Sequence, residues 1–356
     1  MQQINHNEFE DQDFHIGIDV HKNNWVVTVR NNHMELKTLS MDPSPELLYK
    51  HLHCNYPGGS YISAYEAGFC GFWIHRSLES LGIKNLVIHA ADVASTNKER
   101  TNKTDKVDSR KIARELEKKS LNSIYVPDEL HQQLRSLCRL RGKSVVSQTR
   151  VKNRIKGHLY MYGIDIPCQD EMPHWSGHFI QWLESIEFSQ TSGKDYLLLC
   201  LEELHQHRKR TADITRKLRD HFKSCGLHDQ VVFLRSIPGI GLVVALSFYT
   251  EIMDINRFRI FDKLASFVGL VPSVHGSGDK TIDQGLTKRR NRYLRHLIVE
   301  AAWIAVRKDP ALLHAFNQLT RRMKKQDAII RIAKKLLRRI RYVWKNQTPY
   351  VIAIVE

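Results

Sequence analysis

Paired cysteines are missing from this sequence. The six present, Cys54, Cys70, Cys138, Cys168, Cys200 and Cys225, lie far apart with no C-x-x-C spacing. That excludes a zinc knuckle and a disulfide framework, and predicts reduced, mostly buried thiols. His51, His53 and Cys54 cluster, but without a second ligand pair nearby they do not make a metal site. Long apolar runs are missing too, since no stretch approaches the roughly 20 residues that a membrane span needs. The opening MQQINHNEFEDQDF lacks the charged-then-apolar layout of a signal peptide. A cytoplasmic protein with no membrane association is expected. Acids are scarce: 38 Asp+Glu stand against 54 Lys+Arg in 356 residues, a net charge of +16. Such a balance favours a polyanionic partner, nucleic acid first, because neutralising phosphates releases counterions. With 42% hydrophobic residues the chain is globular and long enough for two or three domains.

From Phe14 the pattern is strand-like. FHIGIDV, WVVTV and a weaker MELKTLSM read as a three-strand meander. PELLYKHLHC reads as a helix, YISAYEAG as a strand, CGFWIHRSLESLG as a helix, NLVIHA as a strand, and KTDKVDSRKIARELEKK as a further helix. This order predicts an α/β layer with a mixed sheet. After Pro127, residues 128–162 carry no proline and only two glycines, and their apolar residues, including Leu130, Leu134, Val151, Ile155 and Leu159, predict one long basic helix. Residues 164–193 read as a connecting insertion, and a second long helix is expected from Asp195 to about Cys225. Together they suggest an antiparallel hairpin or a dimer seam. In the last third, Pro238-Gly239-Ile240-Gly241 interrupts a helical pattern. The interruption is either a helix-hairpin-helix aiming backbone amides at a phosphate or a plain turn between core helices.

The acids that remain are placed unevenly. Asp105 and Asp108 lie three apart at the start of a helix and share one face. Acids in a first turn are also stabilised by the helix dipole alone, so the pair by itself decides nothing. Asp19 ends the apolar strand FHIGIDV and Glu66 ends YISAYE, positions where a charge is costly unless a site uses it. Phosphoryl transfer by two cations about 4 Å apart needs three or four carboxylates brought from different elements. Asp19, Glu66, Asp105 and Asp108, on two strand ends and one helix, have the layout of a ribonuclease-H-like site binding Mg²⁺ (or Mn²⁺).

With these residues in view, the chain resembles the DEDD transposases and site-specific recombinases of the insertion-sequence one-ten type, related to the Piv invertases. The resemblance rests on GIDVHKNNW, YEAGFCG, NKTDKVDSRKIA, IPGIG, DKLASFVGLVPSVHGSG and GLTKRRNRYLR, which occur in order along nearly the whole chain. It implies a RuvC-like catalytic domain over 1–126, a helical coiled-coil hairpin over 127–228, and a mainly α transposase domain over 229–356. It also implies a serine that attacks DNA, by motif match Ser277 in VHGSGDK, with Ser273 as the alternative. A structured guide RNA pairing with DNA and a homo-oligomer, dimer or tetramer, are implied as well.

Gly276 and Gly278 would let the backbone approach a phosphodiester, and Lys280 would offset its charge. In GLTKRRNRYLR, Arg290 stands where relatives usually have glycine, which strains the turn if that position needs a positive φ. Lys288, Arg289, Arg292 and Arg295 read as a phosphate-contacting helix start. The segment from Arg321 to Lys345 carries eleven Lys/Arg and one acid, and Lys334, Lys335, Arg338 and Arg339 on it are expected to contact nucleic acid. The expected activity is cutting and rejoining of DNA by metal-assisted transesterification. The alternatives are a metal-dependent junction nuclease using water and a catalytically dead DNA-binding relative.

Overall fold

A computed structural model describes residues 9–94, 104–277, 280–287 and 289–352. The chain divides into two compact units, Met1–Val126 and Pro127–Glu356.

In the first unit, β1 (Asp13–Val20), β2 (Trp25–Asn31) and β3 (Met34–Met41) form the expected meander. They are followed by α1 (Pro45–Asn55), β4 (Ser60–Glu66), α2 (Trp73–Ser80), β5 (Lys84–Ile88) and α3 (Asp105–Glu117). The sheet order is β3-β2-β1-β4-β5, with β1 antiparallel to β2 and parallel to β4. Because side chains alternate across a strand, Phe14, Ile16 and Ile18 face one way and bury against Leu48, Leu52, Ile74 and Leu78 of α1 and α2. The other face receives α3. A Cβ on Gly17 would overlap the backbone of Ser109 and Ala113, so the helix lies directly on the strand there. Two further contacts hold α3. Buried Ser109 Oγ is 2.9 Å from Thr28 Oγ1 on β2, and Glu117 accepts from Arg30 Nε at 2.9 Å and His33 N at 2.7 Å.

In the second unit, α4 (Glu129–Met161) and α6 (Thr191–Ser224) are long helices that pair antiparallel, with Arg141 bonded to Thr215 at one end and His158 to the Gly193 carbonyl at the other. The segment 164–193 is more than a connection. It contains α5 (Gly177–Ser185), whose Phe179, Ile180 and Leu183 bury against Val151, Ile155, Leu159, Leu197 and Leu204. Pro167 and Pro173 break only its first half, and the apolar spacing of Phe179, Ile180 and Leu183 builds a local core at the hairpin tip. Leu130, expected on the apolar face of α4, is 40% exposed.

The chain continues through α7 (His228–Arg235), α8 (Leu242–Ile252), α9 (Phe261–Val268), the ribbon β6 (Pro272–Ser277) and β7 (Lys280–Leu286), α10 (Arg292–Lys308), α11 (Pro310–Thr320) and α12 (Lys325–Asn346). Leu134 and Cys138 of α4 and Ile214, Leu218 and Phe222 of α6 share one core with α8, α10 and α12, so packing runs across residue 228 without a break. The turn between α7 and α8 is tight because Gly239, at φ 87°, presses against Ala301 and Ala305 of α10. That is packing, whatever else the turn does.

The cysteine expectation needs correcting. Cys138 and Cys200 are buried, but Cys54, Cys168 and Cys225 are exposed. Burial pushes the Cys138 thiol up to about 11, leaving it protonated and unreactive at neutral pH.

The second unit is clamped by a buried charge. Glu251 on α8, 2% exposed, accepts from Arg139 Nε at 2.6 Å and Nη2 at 2.9 Å on α4, and from Asn291 Nδ2 at 2.8 Å ahead of α10. Glu251→Ala leaves half-exposed Arg139 and Asn291 without their acceptor and is expected to cost about 1–3 kcal/mol, read as a lowered unfolding midpoint. An unchanged midpoint would show that water replaces the carboxylate without loss.

Candidate active site and nucleic-acid surface

Asp19 is the next-to-last residue of β1, and the turn that follows Val20 places His21 beside it. His21 N donates to the Asn24 carbonyl at 3.1 Å, which folds residues 21–24 back into β2. The His21 ring then stands between two acids, its Nε2 3.2 Å from Asp19 Oδ2 and 3.4 Å from Asp105 Oδ1. Asp105 arrives at the first turn of α3, which starts where Thr104 accepts from the Val107 amide. Asp19, His21 and Asp105 form a group whose ligand atoms all lie within 4.8 Å of one another.

Asp108 lies one turn further along α3, with Oδ1 4.0 Å from Nζ of Lys111. Glu66 is outside the three-residue group. The parallel register Ile18↔Tyr65 nevertheless puts it one step further along β4, at the same end of the adjacent strand and on the same sheet face as Asp19.

Burial pushes the Asp19 carboxyl above its ordinary range. The His21 imidazole pulls it back, and the charges of Asp105 and Asp108 push it up again. Two carboxylates from separate elements, facing each other across an imidazole, repel unless a cation or a protonated ring lies between them. That donor set fits a divalent cation: carboxylate oxygens suit Mg²⁺ and Mn²⁺, and an imidazole nitrogen in reach favours the softer of the two. His21 was not among the residues expected from the sequence. Its signal was present in GIDVHK, two positions after Asp19, but only the turn geometry aims the ring back.

On the second unit, β6 and β7 pair as a ribbon, with Ser277 opposite Lys280 in the register. The side chains of Ser273, Ser277 and Lys280 lie outside what is described, and Lys288 lies outside the described residues. Arg290 has no positive φ. Its stem packs on Gly269 and its Nη1 donates to the Thr287 carbonyl at 2.7 Å, so arginine is accommodated in this turn without backbone strain. Asn291 caps α10 by accepting from the Leu294 amide at 3.0 Å. Arg289 and Arg292 are exposed, whereas Arg295 is half-buried, and burial and the Arg290 charge push its guanidinium below the ordinary range.

On α12, Arg331, Lys335, Arg338 and Lys345 are exposed at steps of four, three and seven, with exposed Tyr342 among them, which makes one helix face. Lys334 pairs with Asp262 at 3.5 Å. Arg339 departs from expectation. Its Nη1 is 2.5 Å from Oδ2 of fully buried Asp309 and its guanidinium lies 5.0 Å from the Tyr350 ring centroid, so the fold takes up its charge.

With this geometry in place, comparison with known families is specific. A DEDD family described as Transposase matches residues 16–164, and the family described as Transposase IS116/IS110/IS902 matches residues 232–318. The Sinorhizobium fredii protein y4qE is 28% identical over 239 residues, 67% of this chain and 57% of that protein. The Coxiella burnetii transposase for insertion sequence element IS1111A is 30% identical over 240 residues, 66% of this chain and 63% of that protein. The Yersinia enterocolitica transposase for insertion sequence element IS1328 is 25% identical over 294 residues, 81% and 82% of the two chains. The chain belongs to the IS110 family of DEDD transposases. It spans about three fifths of the length of the first two relatives. Among the described residues, no helix is long and apolar enough to cross a membrane.

Proposed function

We propose that this chain cuts and rejoins DNA as the transposase of an insertion sequence, in the cytoplasm, by two transesterifications through a serine nucleophile. The observation that carries the reading is the approach of Asp19 and Asp105, from a strand end and a helix start, to one point beside His21. The strand order β3-β2-β1-β4-β5, with a meander followed by two parallel strands, supports a ribonuclease-H-like ancestry for that unit.

In this reading Asp19, Glu66, Asp105 and Asp108 hold Mg²⁺ or Mn²⁺, which when bound supplies Lewis-acid polarisation of the scissile phosphate. Asp19 and Asp105 would hold that cation from a strand end and a helix start, and α3 keeps their separation through its contact with Gly17. The Ser277 oxygen attacks phosphorus, forming a serine-phosphate ester as the bond from phosphorus to the DNA oxygen breaks, and the serine proton passes to that oxygen, which leaves as a hydroxyl. A second DNA hydroxyl then attacks that ester and frees the serine, so the phosphodiester energy is conserved. Lys280, Lys288, Arg289, Arg292, Lys335 and Arg338 contact phosphates. A guide RNA and a homo-oligomer, dimer or tetramer, complete the assembly. The hairpin over 127–228 and the helices over 229–356 serve as separate functional parts of one packed unit.

The test is a covalent adduct. Denaturing the protein during reaction with labelled DNA should trap a protein–DNA species that Ser277→Ala abolishes and Ser273→Ala leaves. Cleavage with no adduct would favour the hydrolytic junction nuclease, and adduct retained in Ser277→Ala would move the nucleophile elsewhere.

A further inference from the structure

One long side of the α4–α6 pair is an open groove of about 440 Å³, lined by Arg141 and Gln148 from α4 and by Arg208, Thr215, Arg216 and Arg219 from α6. Four guanidinium groups line it and no carboxylate does. Asp213, on the same helix, pairs with Arg216 at 2.7 Å. Arg141 Nε donates to Thr215 Oγ1 at 2.8 Å, which fixes the direction of that guanidinium across the groove. Towards the hairpin tip the same face continues in Lys152 and Lys156, stacked 5.3 and 6.0 Å from the Trp175 ring, whose carbonyl accepts from Arg208 at 2.7 Å. Burial pushes the Lys152 ammonium below its ordinary range, and the charges acting on it, Arg208 and Lys156, are both positive. An anion bound from outside would relieve this repulsion.

The spacing is regular. Arg141, Gln148, Lys152 and Lys156 step by seven, four and four along one face of α4, and Arg208, Thr215 and Arg219 step by seven and four along α6. At about 1.5 Å per residue the α4 row alone extends about 22 Å. None of the residues lining the groove is aromatic, and Trp175, the ring on the continuing face, is already covered by Lys152 and Lys156, so no open platform is left there for unpaired bases. A row of mostly cationic side chains with no open stacking ring suits the backbone of a duplex, where contacts to phosphate give affinity without reading bases.

We infer that this face of the helical hairpin is a binding site for the phosphate backbone of duplex DNA. The choice of DNA as the duplex rests on the function proposed above. The site is separate from the basic face of α12 and uses none of its residues.

The experiment measures affinity of the full chain for a 30-base-pair DNA duplex across a salt series, without divalent metal. Arg216→Gln with Arg219→Gln is compared with Lys143→Gln and Arg150→Gln, two exposed residues on the opposite side of α4. Both pairs remove two charges, so net charge is matched, and equal helical signal and melting confirm that both variants fold. The groove pair should bind about tenfold more weakly at low salt, with the slope of log affinity against log salt reduced by about 1.8, for two phosphate contacts. The control pair should change affinity less than about threefold. Equal losses in the two pairs, or no loss in either, would overturn the inference. A loss confined to an RNA duplex of the same length would assign the groove to RNA and overturn the choice of DNA. Cutting is assayed separately at saturating DNA. If the wild type does not cut, the proposed activity falls while the binding result stands.

Discussion

Asp105→Ala should abolish strand cleavage while leaving nucleic-acid affinity at the wild-type level. Asp105 is one of two carboxylates that the fold brings to the same point, 3.4 Å from His21 Nε2. Charge stabilisation at such a site is worth several kcal/mol, and each 1.4 kcal/mol is tenfold in rate, so a loss on the order of a thousandfold is expected. The competing account is that Asp105 only stabilises the first turn of α3 through the helix dipole, worth about 0.3–1 kcal/mol. That account predicts a small shift in melting and little change in cutting rate. Measuring both separates the two, and a variant that cuts as fast as wild type would remove Asp105 from the site. Asp105→Asn should behave like the alanine variant, because an amide keeps the shape and loses the charge.

The second large effect is expected at a residue with no functional group. Gly17 lies two positions before Asp19, where any side chain would enter the backbone of Ser109 and Ala113. Gly17→Val should push α3 off the sheet, carrying Asp105 and Asp108 away from Asp19 with every acid intact. Overpacking typically costs about 1–3 kcal/mol. A displacement of about 1 Å at a reacting centre can cost about a hundredfold in rate. Cleavage should therefore fall at least about a hundredfold at a temperature where the variant is still folded by circular dichroism. Retained cleavage in a folded Gly17→Val protein would mean that the position of α3 on β1 does not set the site. Thr28→Val, which removes the hydroxyl facing Ser109 at 2.9 Å, probes the same seat of the helix more gently.

Much of this arrangement was legible in the sequence because it is local. The alternation in FHIGIDV and WVVTV marks strands, the run from 128 to 162 without proline marks a long helix, and acids at the ends of β1 and β4 stand out against apolar neighbours. The eleven Lys/Arg against one acid between Arg321 and Lys345 mark a basic helix in the same way. Only the tertiary structure decided which of those charges point outward. Arg339 and Arg338 are neighbours of one residue type, yet one neutralises buried Asp309 and the other stays exposed, because a one-residue step turns the side chain by about 100° around the helix axis. His21 is the same kind of case: its place between Asp19 and Asp105 depends on a turn folding back and on a helix arriving from more than eighty positions later. Composition and periodicity settle what each segment is, since those depend on neighbours in the chain. Which side chains meet depends on the direction each segment takes in space, and that was decided by Gly17, Thr28 and Glu117 seating α3 against the sheet.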